Sequence, residues 1–262
     1  MEIIGYIASI FIGLILGLVG GGGSILTVPL LVYLFKINAQ LATTYSLFIV
    51  GLTAIYGVCS NYKSKNLHLR SALIFAIPSV FSLLLIRKII LSKIPNSFLI
   101  LNQFTVYKNS LILVIFAMLM LSSAAIMIKK SDVSKQFRNQ KNNYKLAIIG
   151  FLVGVLIGFL GAGGGFIIIP ALLFFAKLDI KQAIGTSLLI IAINSSLGFM
   201  SDIIDGIVVD FVFLTKIVAL SVVGMMIGTA LSQKIDGKLL KPIFGWFVLC
   251  MGLYIIGKEI LF

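Results

Sequence analysis

Long apolar stretches separated by short polar ones organise the whole chain. They cover residues 3–35, 41–59, 67–86, 111–128, 146–176, 183–200, 211–231 and 243–256. A helix needs about 20 apolar residues to cross a bilayer's hydrocarbon core, so most of these stretches predict one span each. The first and the fifth are too long for one span and too short for two. Each is interrupted by glycines: Gly20, Gly21, Gly22 and Gly23 in one, Gly161, Gly163, Gly164 and Gly165 around Ala162 in the other. Glycine costs about 1 kcal/mol relative to alanine in a helix interior, so each cluster predicts a break. A proline follows at a matching place, Pro29 and Pro170.

These breaks belong to an internal repeat. A shift of 141 residues lays 13–60 on 154–201 without a gap, and 14 of the 48 pairs are identical. The identities include Gly17/Gly158, Gly20/Gly161, Gly23/Gly164, Pro29/Pro170, Lys36/Lys177, Ser46/Ser187 and Gly57/Gly198. Apolar composition alone does not align glycines, a proline and a lysine together. The repeat divides the chain into a first membrane unit (1–130), a basic linker (131–145) and a second membrane unit (146–262).

The loops carry a topological signal. If every long stretch crossed once, the basic residues outside the spans would split ten against ten. If the two glycine-broken stretches are hairpins that enter and leave on one side, the split becomes fourteen against six. Cytoplasmic loops collect Lys and Arg, which favours the hairpins. That arrangement puts both termini outside, the 131–145 linker inside, and the two halves upside down relative to each other. The predicted fold is an all-α polytopic membrane protein of two inverted repeats, each a glycine-broken helical hairpin plus three transmembrane helices.

Composition sharpens the class. The chain is 60% hydrophobic and only 11% charged, with a mean hydropathy of +1.16. Soluble domains carry about a quarter charged residues, so soluble, disordered and disulfide-scaffold classes are excluded. The net charge of +13 sits in short groups beside apolar runs rather than in one patch. It predicts contact with the lipid bilayer and no nucleic acid. Cys59 and Cys250 lie in apolar stretches and form neither a disulfide framework nor a metal-ligand spacing; no metal or cofactor is expected. Residues 1–35 lack a basic leader and a small-residue cleavage site, and read as mature protein.

The candidate chemistry follows the breaks. Glycines spaced four apart, such as Gly13/Gly17 and Gly154/Gly158, suit close helix packing. Four glycines within five residues do not, because packing needs a continuous helix. Broken helices inside a bilayer occur where backbone is buried in protein or lines a cavity, and half-helix N-termini there hold anions. The predicted binding residues are Gly20, Gly21, Gly22, Gly23 and Ser24 in the first tip, and Gly161, Gly163, Gly164 and Gly165 in the second. Thr44, Ser46, Thr186, Ser187 and Asn194, in the helices that follow, are expected to complete the shell. For the hydroxyls the plain alternative is a bond back to a carbonyl of their own helix. All eight acidic residues are placed in loops or at ends, so the site is expected to be neutral or positive.

Gly17-Leu18-Val19-Gly20-Gly21-Gly22-Gly23 with Pro29 resembles the sulfite exporter TauE/SafE family, also called toluene sulfonate uptake permeases. Gly158-Phe159-Leu160-Gly161-Ala162-Gly163-Gly164-Gly165 with Pro170 repeats the pattern, and Ala183-Ile184-Gly185-Thr186-Ser187-Leu188 is similar to the stretch that follows it there. Lys238-Leu239-Leu240-Lys241-Pro242-Ile243-Phe244-Gly245 is similar to the family's last loop and helix. Two departures stand out: Leu41-Ala42-Thr43-Thr44-Tyr45-Ser46 lacks the glycine of its counterpart, and 87–110 is longer and more polar than 232–242. The resemblance implies a transporter of small anions, chiefly sulfur oxyanions and organosulfonates, in the cytoplasmic membrane of a prokaryote. The partners expected are that anion and the bilayer; a homo-oligomer is compatible with the sequence. An anion channel with the glycine tips as its filter is the first alternative. An intramembrane enzyme is disfavoured, because one His and no expected intramembrane carboxylate supply no acid–base pair.

Overall fold

The structure is a computed structural model; it describes residues 2–21, 23–63, 66–91, 97–100, 104–128, 143–160, 164–232 and 237–261. The 131–145 linker therefore lies outside the described residues up to Asn143, where a helix begins.

The apolar stretches are helical. In chain order they are α1 (Glu2–Val19), α2 (Ser24–Tyr33), α3 (Ala39–Lys63), α4 (Leu69–Leu85) running into a π-helical turn (Ile86–Leu91), and α5 (Lys108–Ile128). The second half supplies α6 (Asn143–Leu160), α7 (Gly165–Ala171) running into a π-helical turn (Leu172–Ala176), α8 (Ile180–Ile204), α9 (Phe211–Ser232) and α10 (Gly237–Leu261). Four of them, α3, α4, α8 and α9, are long and apolar enough to cross a membrane. Ile4, Phe11, Ile77, Phe81, Val212 and Trp246 are exposed on helix faces, an apolar surface that suits lipid and not water.

The helical expectation holds for the spans and gives way in one connection. Strands β1 (Ser97–Ile100) and β2 (Phe104–Tyr107) pair antiparallel, with Ser97 opposite Tyr107 and Ile100 opposite Phe104. Aromatic and β-branched residues at 98, 100 and 104–107 favour strand over helix there.

Local signals place the helix ends. Asn38 accepts the Leu41 N–H at 2.7 Å and Asp210 accepts the Phe213 N–H at 3.0 Å, satisfying orphan donors at the starts of α3 and α9. His68 caps α4, its Nδ1 accepting the Ser71 N–H. The repeat-related Lys36 and Lys177 both adopt left-handed backbone, with φ of 56° and 54°. The N–H of Ile37 then reaches the Leu31 carbonyl, and that of Leu178 the Leu172 carbonyl. This left-handed closure reaches one residue further back than the 6→1 bond of a Schellman motif, and it forms at both positions, 141 residues apart.

Packing exchanges the two halves. α1 lies along α9, and α6 along α4; α3 crosses α8, and α5 pairs with α10. A Cβ on Gly17 would meet the Met225 carbonyl at 2.7 Å, and one on Gly158 the Leu83 carbonyl at 3.0 Å. Gly13 and Gly154 face Ser221 and Ser79 in the same way, and Gly224 and Gly228 return the contact from α9 to α1. The spaced glycines are thus packing positions, where a missing Cβ lets two backbones touch.

α3 and α8 run antiparallel: Leu47 meets Gly198, Gly51 meets Ser195 and Gly57 meets Leu188. Exchanging each residue for its repeat partner turns the Leu47–Gly198 contact into the Leu188–Gly57 contact. Chain ends gather accordingly. Tyr6 and Phe35 rings stack edge-on at 5.6 Å, and the Asp210 N–H donates to the Tyr45 hydroxyl at 2.9 Å. At the opposite end, Gly185 sits against Asn61 and Asn66.

Candidate functional site

The glycine breaks come together at the middle of the molecule. Gly20 and Gly21 have φ of +70° and +146°, and Gly164 has φ of +69°. These are left-handed conformations that side-chain-bearing residues rarely adopt, and they end α1 and open α7. A Cβ on Gly21 would stand 2.5 Å from the Gly165 Cα, and Ile191 at the centre of α8 touches both glycines. The two tips therefore meet backbone to backbone against the middle of a spanning helix. Gly22, Gly161 and Gly163 lie outside the described residues.

Of the flanking residues, Ser24 and Ser187 join the tips. The Ser24 hydroxyl donates to the Gly21 carbonyl at 2.7 Å, while Ser187 donates to the carbonyls of Gly20 and Ile184. Gly23 packs on α1 at Ile12 and Leu16. Thr186 is adjacent in sequence but serves the helix start, accepting the His68 N–H at 3.1 Å. Asn194 donates to the Ser79 hydroxyl at 2.8 Å. Its carbonyl oxygen, together with the hydroxyls of Ser46 and Ser195, is buried with no hydrogen-bond partner among the described residues. Such orphans are uncommon in folded proteins. Thr53 keeps the plain role and bonds back to Ile49 at 2.6 Å. Lys216 is exposed on α9.

The expectation that no acidic residue lies within a span is overturned. Asp202 sits in the last turns of α8, inside a spanning segment and 4% exposed. Its carboxylate accepts the Arg87 Nε–H at 2.6 Å and also pairs with Arg87 Nη2. Thr44, expected at the binding shell, instead donates to Asp202 Oδ2 at 2.6 Å and accepts from Arg87 Nη2 at 3.3 Å. Arg87 Nη1 reaches the Gly158 carbonyl at 3.4 Å. Arg87 itself is 4% exposed and lies on the π-helical turn after α4. The two opposite charges of the pair offset each other within the interior.

A signal for this pair existed in the sequence. Arg87 and Lys88 are followed by Ile89, Ile90 and Leu91, and Asp202 by Ile203 and Ile204 before Asp205. Apolar residues beyond a charge are compatible with a span that runs up to two residues past it, as at Ile89 and Ile204.

Helices with apolar outer faces, two touching glycine breaks and a buried ion pair define a multi-pass helical membrane protein. The chain belongs to the sulfite exporter TauE/SafE family, whose pattern matches residues 6–255. It is 29% identical over 257 residues to a "Probable membrane transporter protein" of Xylella fastidiosa, covering 95% of this chain and 92% of that one. A Bacillus subtilis protein described as "Probable membrane transporter protein YunE" is 28% identical, with 97% and 98% covered. A relative from Methanocaldococcus jannaschii, "Probable membrane transporter protein MJ0441", is 25% identical over 94% of both chains. No solved structure matches the chain.

Proposed function

We propose that the protein carries a small anion across the cytoplasmic membrane of a prokaryote by alternating access, around a midplane site formed by the two glycine-broken helices beside the contact of their tips. The observation that carries this reading is the Gly21–Gly165 contact at the middle of α8. Two breaks from opposite halves meet there, as expected for a midplane site built from discontinuous helices.

The reading takes α1–α2 and α6–α7 as re-entrant hairpins of inverted halves. In its support, Tyr6 near Phe35 brings both ends of the first hairpin together. α6 runs alongside α4 from a common end, and Gly185 at the start of α8 meets Asn66 just before α4, bringing the ends of the second hairpin to the opposite face. The shell consists of Gly20, Gly21, Gly22, Gly23 and Ser24 with Gly161, Gly163, Gly164, Gly165, Ser46, Ser187 and Asn194. Backbone N–H groups at these breaks favour negative charge. A sulfur oxyanion or organosulfonate is the substrate class that the family supports.

Uptake by liposomes holding the purified protein, across sulfite, sulfonate, carboxylate and chloride, tests the reading. Saturable uptake and counterflow of an oxyanion is the expected outcome. Non-saturable flux would make the protein a channel, and cation uptake without any anion response would overturn the proposal.

A further inference from the structure

The fold closes the α3–α8 seam in two different ways at its two ends. Thr44 faces Asp202 at one end. Their repeat partners, Gly185 and Asn61, face each other at the other end, with a Cβ on Gly185 standing 3.2 Å from the Asn61 Cβ. The Asn61 amide there donates back to the Gly57 carbonyl of its own helix, at 2.9 Å. The same helix crossing is thus made at one end with a buried ion pair and at the other, among the described residues, by Gly185 against Asn61. The crossing itself does not need a charge pair at both ends.

Its presence inside a span is energetically awkward. Buried ion pairs are often no more stabilising than well-packed apolar groups, because desolvation offsets their attraction, and charges within membrane spans mark functional positions. The geometry specifies the chemistry. Both Asp202 oxygens lie on the Nε–Nη2 edge of Arg87, the planar fork that suits any two-oxygen anion. A sulfite or sulfonate presents two oxygens in the same manner. The pair also spans the halves: Arg87 and Thr44 belong to the first, Asp202 and the Gly158 carbonyl to the second. Gly158 lies three residues before the second glycine break. On α8, Asn194 and Ser195 precede Asp202 by about two turns, which keeps them on its side of the helix. Both hold buried polar atoms without a partner among the described residues.

We propose that Arg87 is the cation that recognises the transported oxyanion, and that Asp202 occupies its fork as an intramolecular stand-in when no substrate is engaged. The anion exchanges with the carboxylate on Arg87, which loosens the link between the halves at Gly158. This inference rests on the anion-transport reading and adds to it a specific recognition residue outside the glycine tips.

Two variants test it, purified beside the parent chain and titrated with sulfite and methanesulfonate. Asp202→Asn vacates the fork and should bind these anions at least tenfold more tightly than the parent. Where it is unstable alone, sulfite or methanesulfonate should restore its unfolding temperature. The double variant Arg87→Gln with Asp202→Asn removes both charges without leaving one unpaired; it should fold and lose anion binding. A double variant that binds and transports as the parent does would reduce the pair to a structural contact and overturn the inference. So would an Asp202→Asn protein whose affinity and stability ignore both anions. The parent's own anion flux, measured in the same series, separates this failure from failure of the transport reading, which shows as no anion flux in the parent at all.

Discussion

Gly21 and Gly165, from opposite halves of the chain, touch through their backbones, with no room between them for even a methyl group. Gly21 also holds φ of +146°. Alanine at Gly21 therefore meets both a clash and a backbone conformation costing about 1–3 kcal/mol. The expected outcome is lost transport and a lowered unfolding temperature. Gly257→Ala is the matched control, since nothing lies within 4 Å of a Cβ there, and it should behave as the parent. Thermal unfolding and flux measured together on the two variants check this.

The spaced glycines should fail differently. Leucine at Gly13 would drive α1 away from Ser221 of α9, and leucine at Gly154 would drive α6 from Ser79 of α4. Overpacking of this kind costs about 1–3 kcal/mol or more. Both variants should lose folded, monodisperse protein to a similar degree, because the two crossings are repeat-related. Size-exclusion profiles after extraction provide the measurement. A severe loss for one and none for the other would contradict the equivalence of the halves.

Ser187 and Thr53 separate tip support from ordinary helix bonding. Ser187 donates across to the Gly20 carbonyl, whereas Thr53 donates within α3, to Ile49. A hydrogen bond of this kind contributes about 0.5–1.5 kcal/mol net. Ser187→Ala should slow transport several-fold through a loosened first tip, and Thr53→Ala should leave the rate close to the parent's. Initial uptake rates at saturating substrate compare them.

Orientation follows from the loop charges. In a chain with Cys59 and Cys250 replaced, a cysteine at Val208, 87% exposed, should react with a membrane-impermeant reagent in intact cells. A cysteine at Ser131 in the basic linker should stay unlabelled until the cells are opened. The reverse pattern would invert the assignment of the two faces.

The repeat was legible in the sequence because its markers are conformational. A proline and clustered glycines keep their spacing wherever a helix must break, and Lys36 and Lys177 end their half-helices with the same left-handed residue. The packing role of Gly13, Gly17, Gly154 and Gly158 was legible for the same reason: their spacing puts them on one face of a helix. The destinations of the polar side chains were not. Thr44 finds Asp202 across 158 residues, and Arg87 finds it across 115. No periodicity encodes such pairings. In lipid a charge ends a span, but Asp202 lies inside one because Arg87 offsets its charge there. Thr186 meets His68 while its neighbour Ser187 reaches the first tip, because side chains one apart on a helix point about 100° away from each other.

The central claim is that an anion passes at the meeting point of the glycine tips. Its most direct measurement is the uptake of radiolabelled sulfite by liposomes containing the parent protein or Gly165→Ala, whose added Cβ would press into Gly21. The account predicts saturable uptake, competed by methanesulfonate, in the parent and none in the variant despite equal incorporation. Equal uptake by both proteins would contradict it.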